Sequence, residues 1–279
     1  MATHLTEPLP DWPTGSDLRG YRVEAASPVA ALLVVHGFGE HAERHAKTMR
    51  LFASRGISAY AYDHRGHGRS PGKRAFAARF DDLISESLAI RDRVAAEHPG
   101  LPLFLFGASM GGAIAARNAQ LRPAGLRGVV LLAPAFAVAE HIAPPVQNVL
   151  RVLRRFAPGL PLPKLDVALL ADDPAVGAAY AADPLTFHGG IPLATALGLG
   201  DAGAAAVAEA GRYDVPTLLL QGDADKIVFP VGARRFVEAA TNARDLTYRV
   251  VPGGYHELFN DRAGDALAAE AAEWIVART

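Results

Sequence analysis

Short apolar runs rich in β-branched and aromatic side chains recur at residues 29–35, 57–62, 103–106, 129–132, 215–220 and 246–251, and they read as buried strands. Most are separated by segments of helical period, at 41–55, 80–98, 111–122, 231–241 and 266–277. Strands that alternate with helices predict an α/β chain, a mostly parallel doubly wound sheet, because parallel neighbours are joined by crossovers that cover both faces. Residues 20–25 are expected to add one antiparallel strand ahead of the series. A chain of 279 residues can make one large domain or two modest ones.

The alternation breaks once, between Pro134 and Val215, over a stretch far too long for a loop. Inside it Val146, Val149, Leu150, Val152, Leu153 and Phe156 share one helical face, while Arg151, Arg154 and Arg155 take the other. Pro144, Pro158, Pro161 and Pro163 punctuate the segment. Residues 137–212 are therefore predicted to form a helical cap inserted into a core made of 1–136 and 213–279. The apolar face is expected to pack on the sheet domain, with contact to a lipid surface or a ligand tail as the alternative. Residues 191–210 are rich in Ala and Gly but interrupted by Pro192, Asp201 and Glu209, which predicts a helix pair rather than a bilayer span.

Composition narrows the chemistry. Lys+Arg at 28 against Asp+Glu at 29 removes the positive field that nucleic-acid binders use, so no nucleic-acid partner is expected and a neutral or amphiphilic small molecule is. The absence of cysteine excludes disulfide scaffolds, thiolate metal sites and cysteine nucleophiles. The first 17 residues hold Glu7, Asp11 and no apolar stretch, so they lack the pattern of a secretory signal and a cytoplasmic location is expected.

The run 103–106 is followed by Gly107-Ala108-Ser109-Met110-Gly111-Gly112 and then by a helix-forming stretch. Strand, tight turn and helix around G-x-S-x-G is the setting of a nucleophile elbow, with glycines where the turn passes close to its neighbours. Serine needs a base to take its proton and an acid to orient that base. Asp225 follows run 215–220 and His256 follows run 246–251, each past a strand's carboxyl end, where open α/β sheets place their sites. Asp223 shares the loop of Asp225 and competes for the acid role, and spacing alone does not separate them; the bland account of Asp223 is a carboxylate that satisfies the turn backbone. His98, His4, His141 and His188 have no paired acid and read as structural. Acyl transfer also needs amides aimed at the oxyanion: Met110 N–H follows the nucleophile, and Phe38 N–H lies in His36-Gly37-Phe38-Gly39 after the first parallel strand.

These features together resemble the α/β-hydrolase superfamily, and within it the monoacylglycerol lipase and lysophospholipase-like serine hydrolases. The resemblance runs from about residue 29 to the C-terminus and rests on six motifs in order. They are His36-Gly37-Phe38-Gly39-Glu40-His41 with Arg44, Asp63-His64-Arg65-Gly66-His67-Gly68-Arg69-Ser70, Gly107 to Gly112, Tyr180-Ala181-Ala182-Asp183-Pro184-Leu185, Gln221-Gly222-Asp223-Ala224-Asp225 and Tyr255-His256-Glu257. The resemblance implies an α/β-hydrolase fold, a Ser109–His256–Asp225 triad, Phe38 and Met110 as oxyanion amides, and no cofactor or metal. It also implies that Glu40, Arg44 and Tyr180 hold a glycerol headgroup, and that the substrate is an amphiphilic ester, foremost a monoacylglycerol. A lysophospholipid, a broader range of carboxylic esters, C–C hydrolysis, perhydrolysis or simple binding are the alternatives. The chain departs from the family at Ala108, where His is common, at His45, where Tyr is common, and at the bulkier Phe38. The segment 63–70 is expected to be a hydrogen-bonded brace.

Overall fold

A computed structural model describes residues 7–138, 143–243 and 245–279. In chain order the strands are β1 (Asp11–Pro13), β2 (Arg19–Val23), β3 (Ala30–Val35), β4 (Ile57–Tyr62), β5 (Leu103–Ala108), β6 (Leu126–Leu132), β7 (Thr217–Gly222) and β8 (Leu246–Val251). The α-helices are α1 (Ala46–Ser54), α2 (Phe80–Glu97), α3 (Met110–Leu121), α4 (Pro144–Leu153), α5 (Pro174–Ala182), α6 (Leu193–Ala208), α7 (Pro230–Ala239) and α8 (Gly264–Val276). One sheet takes the order β1-β2-β4-β3-β5-β6-β7-β8, with β1 and β2 antiparallel and the rest parallel.

Strand residues alternate between two cores, as the two-residue period of a pleated strand requires. Leu33, Leu105, Leu131 and Leu219 face α2, α3, α6 and α7, where Leu83, Ile114, Ala206 and Phe236 meet them. Leu32, Phe104, Val130 and Leu218 face the other way, onto Met49 and Phe52 of α1 and Leu267 and Ile275 of α8. Both faces are therefore buried, which is why these strands are almost continuously apolar. The expected antiparallel strand is present as β2. The three-residue β1 falls in a proline-containing segment that has no strand signal.

Helices α4, α5 and α6 occupy the long segment between the adjacent strands β6 and β7. The expected helix pair at 191–210 is instead one helix, α6. Pro192 caps its start, and Asp201 does not interrupt it because its carboxylate faces outward and takes 2.7 and 3.2 Å hydrogen bonds from Arg151. Two of its three glycines serve close packing: a Cβ on Gly198 would sit 2.6 Å from Phe80, and one on Gly203 would collide with the Ala135 carbonyl. Through these contacts α6 packs against α2 and the chain that leaves β6. Among the described residues no helix is long and apolar enough to cross a membrane.

Candidate active site

β5 ends at Ala108 and α3 begins at Met110, so the whole turn falls on Ser109, which takes φ +54° and ψ −119°. A non-glycine residue there carries strain of about 1–3 kcal/mol and persists only where its surroundings dictate it. They do: Ser109 N–H donates to the Leu132 carbonyl at 3.0 Å, and the Ser109 carbonyl accepts from Gly112 and Ala135 N–H at 2.9 Å each. A Cβ on Gly107 would collide with the Gly111 carbonyl, and one on Gly111 with the Val35 carbonyl. Those two glycines let α3 cross the sheet closely enough to lift the serine to its edge.

Past β8, His256 is buried, and its Nδ1 lies 2.8 Å from Asp225 Oδ2 past β7. The remaining capacity of Asp225 is filled: Oδ2 also accepts from Gln221 Nε2 at 3.1 Å, and Oδ1 from Ile227 and Val228 N–H at 2.9 Å each. Burial pushes a proton off the imidazole, but the Asp225 charge and hydrogen bond outweigh it and hold the His256 pKa above the ordinary value. Asp223 instead ties its loop to the one that carries His256, accepting Gly253 N–H at 2.7 Å. Ser109 and His256 line the same cavity; among the described residues no hydrogen bond yet joins the serine hydroxyl to the ring. Such contacts commonly close only with substrate present.

That cavity, about 340 Å³, opens between the strand ends and the insertion. Leu150, Leu162, Leu170, Ile191, Leu197 and Leu199 of the insertion supply much of its apolar wall. Phe38 lies on it, and among the described residues the Phe38 and Met110 amides make no hydrogen bond.

The polar end is more interlocked than its residue types foretell. Glu40 Oε1 accepts Gly37 N–H at 2.5 Å and lies 3.2 Å from His45 Nε2. Burial alone would raise the Glu40 pKa; His45 and Arg44 outweigh it and hold the carboxyl well below the carboxylate range. Arg44 makes a two-pronged pair with Glu257, at 2.8 and 2.9 Å, and stacks over the Tyr180 ring at 4.8 Å. Tyr180 donates its hydroxyl to the Gly39 carbonyl at 2.9 Å. Glu40 and Tyr180 line the cavity, whereas Arg44 stands behind them. Glu257 and Asn260 line it too; Glu257 sits beside His256 in sequence, but its partner Arg44 is 213 residues away. The insertion is tied to the site loops through its backbone: Phe187 N–H donates to Gly39 O and Glu257 N–H to Leu170 O, both at 2.7 Å.

The segment 63–70 braces the site as expected. Asp63 accepts from Tyr21 Oη at 3.0 Å and from Ala42 and Arg69 N–H at 2.9 and 2.8 Å. His98 bonds Tyr60 Oη at 2.7 Å, and His188 lies 3.0 Å from the Asp183 carbonyl. His4 and His141 lie outside the described residues. Among the described residues no group of three or more His, Cys, Asp or Glu side chains is placed to hold a metal ion.

The chain matches known proteins over nearly its whole length. The Hydrolase_4 family model, described as "Serine aminopeptidase, S33", matches residues 26–263. The Monoacylglycerol lipase of Mycolicibacterium smegmatis is 34% identical over 249 residues, covering 89% of each chain. The human Monoglyceride lipase is 32% identical over 263 residues, covering 93% of this chain and 86% of its own. The crystal structure of Paleococcus ferrophilus monoacylglycerol lipase is 35% identical and superposes with a TM-score of 0.82, covering 95% of this chain and 100% of that one. The elbow, the sheet order and these matches agree: the chain belongs to the Hydrolase_4 family, has the α/β-hydrolase fold, and is a carboxylic ester hydrolase.

Proposed function

We propose that this protein hydrolyses monoacylglycerols to fatty acid and glycerol through an acyl-enzyme on Ser109. The observation that carries this is the buried His256–Asp225 pair beside an elbow serine, at the floor of an apolar cavity with one polar end. His256 Nε2 takes the Ser109 proton as Oγ attacks the ester carbonyl. Phe38 and Met110 N–H groups hold the oxyanion, each contributing about 3 kcal/mol. His256 then protonates the departing glycerol oxygen, and water, activated by the same ring, releases the acid. Asp225 keeps the imidazole proton on Nδ1 throughout. The apolar wall takes the acyl chain, and Glu40 and Tyr180, backed by Arg44, take the glycerol hydroxyls. No cofactor takes part in any of these steps.

In this reading residues 137–212 are the cap over a core of 1–136 and 213–279, and the enzyme works in the cytoplasm at the edge of lipid assemblies. Support for surface contact comes from α4 and the turn that follows it, where Val149 and Val152 are 65 and 61% exposed and Phe156 is 81% exposed. Charged substitutions at Val149 and Leu153 should weaken vesicle binding, and unchanged binding would exclude this contact. For the activity, Ser109→Ala should abolish hydrolysis in a folded protein, and a fluorophosphonate should label Ser109. A panel of acylglycerols beside lysophospholipids and short p-nitrophenyl esters should favour the monoacylglycerols. Near-normal turnover by Ser109→Ala would sink the reading.

A further inference from the structure

We infer that His36 is a positioning residue that aims the Phe38 oxyanion amide by gripping the other end of the same peptide unit. This rests on the assignment of Phe38 N–H as an oxyanion donor. The His36 ring is fully buried and touches two backbone groups. Its Nε2 lies 2.9 Å from His64 N–H, and its Nδ1 lies 2.8 Å from the Gly37 carbonyl oxygen. A backbone N–H can only donate and a carbonyl can only accept, so both contacts demand the same tautomer: Nε2 bare, Nδ1 protonated.

The Gly37 carbonyl and the Phe38 N–H belong to one planar peptide unit, and it is trans, so the two groups point in opposite directions. Pinning the carbonyl to His36 therefore turns the N–H away from the histidine, with Phe38 and Gly37 both on the cavity wall. A hydrogen bond accepted by the carbonyl also polarises the amide, which makes its N–H a better donor. The preceding peptide unit is fixed independently by the Gly37 N–H bond to Glu40. The ring itself cannot tip, because His64 and His67 lie against it with centroids 4.3 and 5.4 Å away. The direction of the oxyanion donor is thus set by a side chain that never meets the substrate.

Such a residue acts on the transition state more than on substrate binding. Turnover of a short p-nitrophenyl ester, normalised to the end-point of fluorophosphonate labelling, should fall roughly 10- to 100-fold in kcat for His36→Phe with KM nearly unchanged. His36→Asn, whose amide nitrogen can stand where Nδ1 stands, should recover most of that loss. Wild-type kcat per labelled site in His36→Phe, or no recovery in His36→Asn, would overturn the inference. Should His36→Phe fail to fold, long-range ¹H–¹⁵N spectra of the wild-type ring decide: a proton on Nδ1 supports the grip, and a proton on Nε2 excludes it. Failure of Ser109 to label would remove the underlying mechanism instead, a result that the ring spectra do not share.

Discussion

Replacing Asp225 by Asn isolates the acid from everything else in the site. Ile227 and Val228 N–H both point at Oδ1, so the single oxygen of Asn must sit there. The Asn Nδ2 then occupies the position of Oδ2, 2.8 Å from His256 Nδ1 and 3.1 Å from Gln221 Nε2. Facing a donor, the imidazole moves its proton to Nε2 and accepts at Nδ1. A protonated Nε2 cannot take the proton of Ser109, and a wrong tautomer of this kind costs about 10⁴-fold in kcat, or about 5 kcal/mol of transition-state stabilisation. The fold should survive. Gln221 Oε1 has no partner among the described residues, so a flip of that amide offers an acceptor to Nδ2. What is lost is the Gln221 bond to the Gly222 carbonyl and a charge-assisted pair, a stability cost of about 1–2 kcal/mol. Ester turnover at pH 8 beside a thermal melt reads both quantities. A folded Asp225→Asn protein that keeps more than a tenth of wild-type kcat would refute the reasoning.

Further outcomes follow from other parts of the molecule. Because only neutral His256 can act as base and its pKa is raised, kcat/KM should fall on acidification with a midpoint above the usual imidazole value of about 6.5; a midpoint below it would contradict the pairing with Asp225. Burial, reinforced by the neighbouring rings, holds His36 well below its ordinary value and His64 at about 3, and burial holds His67 at about 4. Each is neutral in the fold and free to charge when unfolded, so its stabilising contribution is complete above about pH 6.5 and disappears as pH falls toward the folded values. Urea midpoints at pH 7.5, 5.5 and 4.5 should decline, and less steeply in His67→Phe; a flat profile would refute the burial argument. Gly68 has φ +47°, and a Cβ there would collide with the Asp63 carboxylate, so Gly68→Ala should lower stability by about 2–4 kcal/mol in chemical denaturation.

The features legible from residues alone are those whose cause is local. Runs 103–106 and 129–132 could be read as strands because both their faces are buried, and Ser109 because the glycines that its turn needs flank it in the chain. Asp225 and His256 follow from position after a strand. Their separation from Asp223 becomes physical only in three dimensions, where one carboxylate meets the imidazole and the other meets Gly253 N–H. The Arg44–Glu257 pair had no such local mark, since neither charge shows its partner across the fold. Helix α6 escaped for a related reason: Asp201 looks like an interruption until Arg151 is beside it.

The two backbone bonds between the insertion and the site loops bear on how such enzymes can be recombined. Phe187 N–H and Leu170 O reach, respectively, the loop that carries Phe38 and the loop that carries His256. Main-chain groups present the same donor and acceptor whatever side chains surround them, so these contacts behave as standard sockets. A foreign insertion spliced between β6 and β7 could bring an entirely new cavity wall. It would fit this chassis if it offered one amide and one carbonyl at those two points.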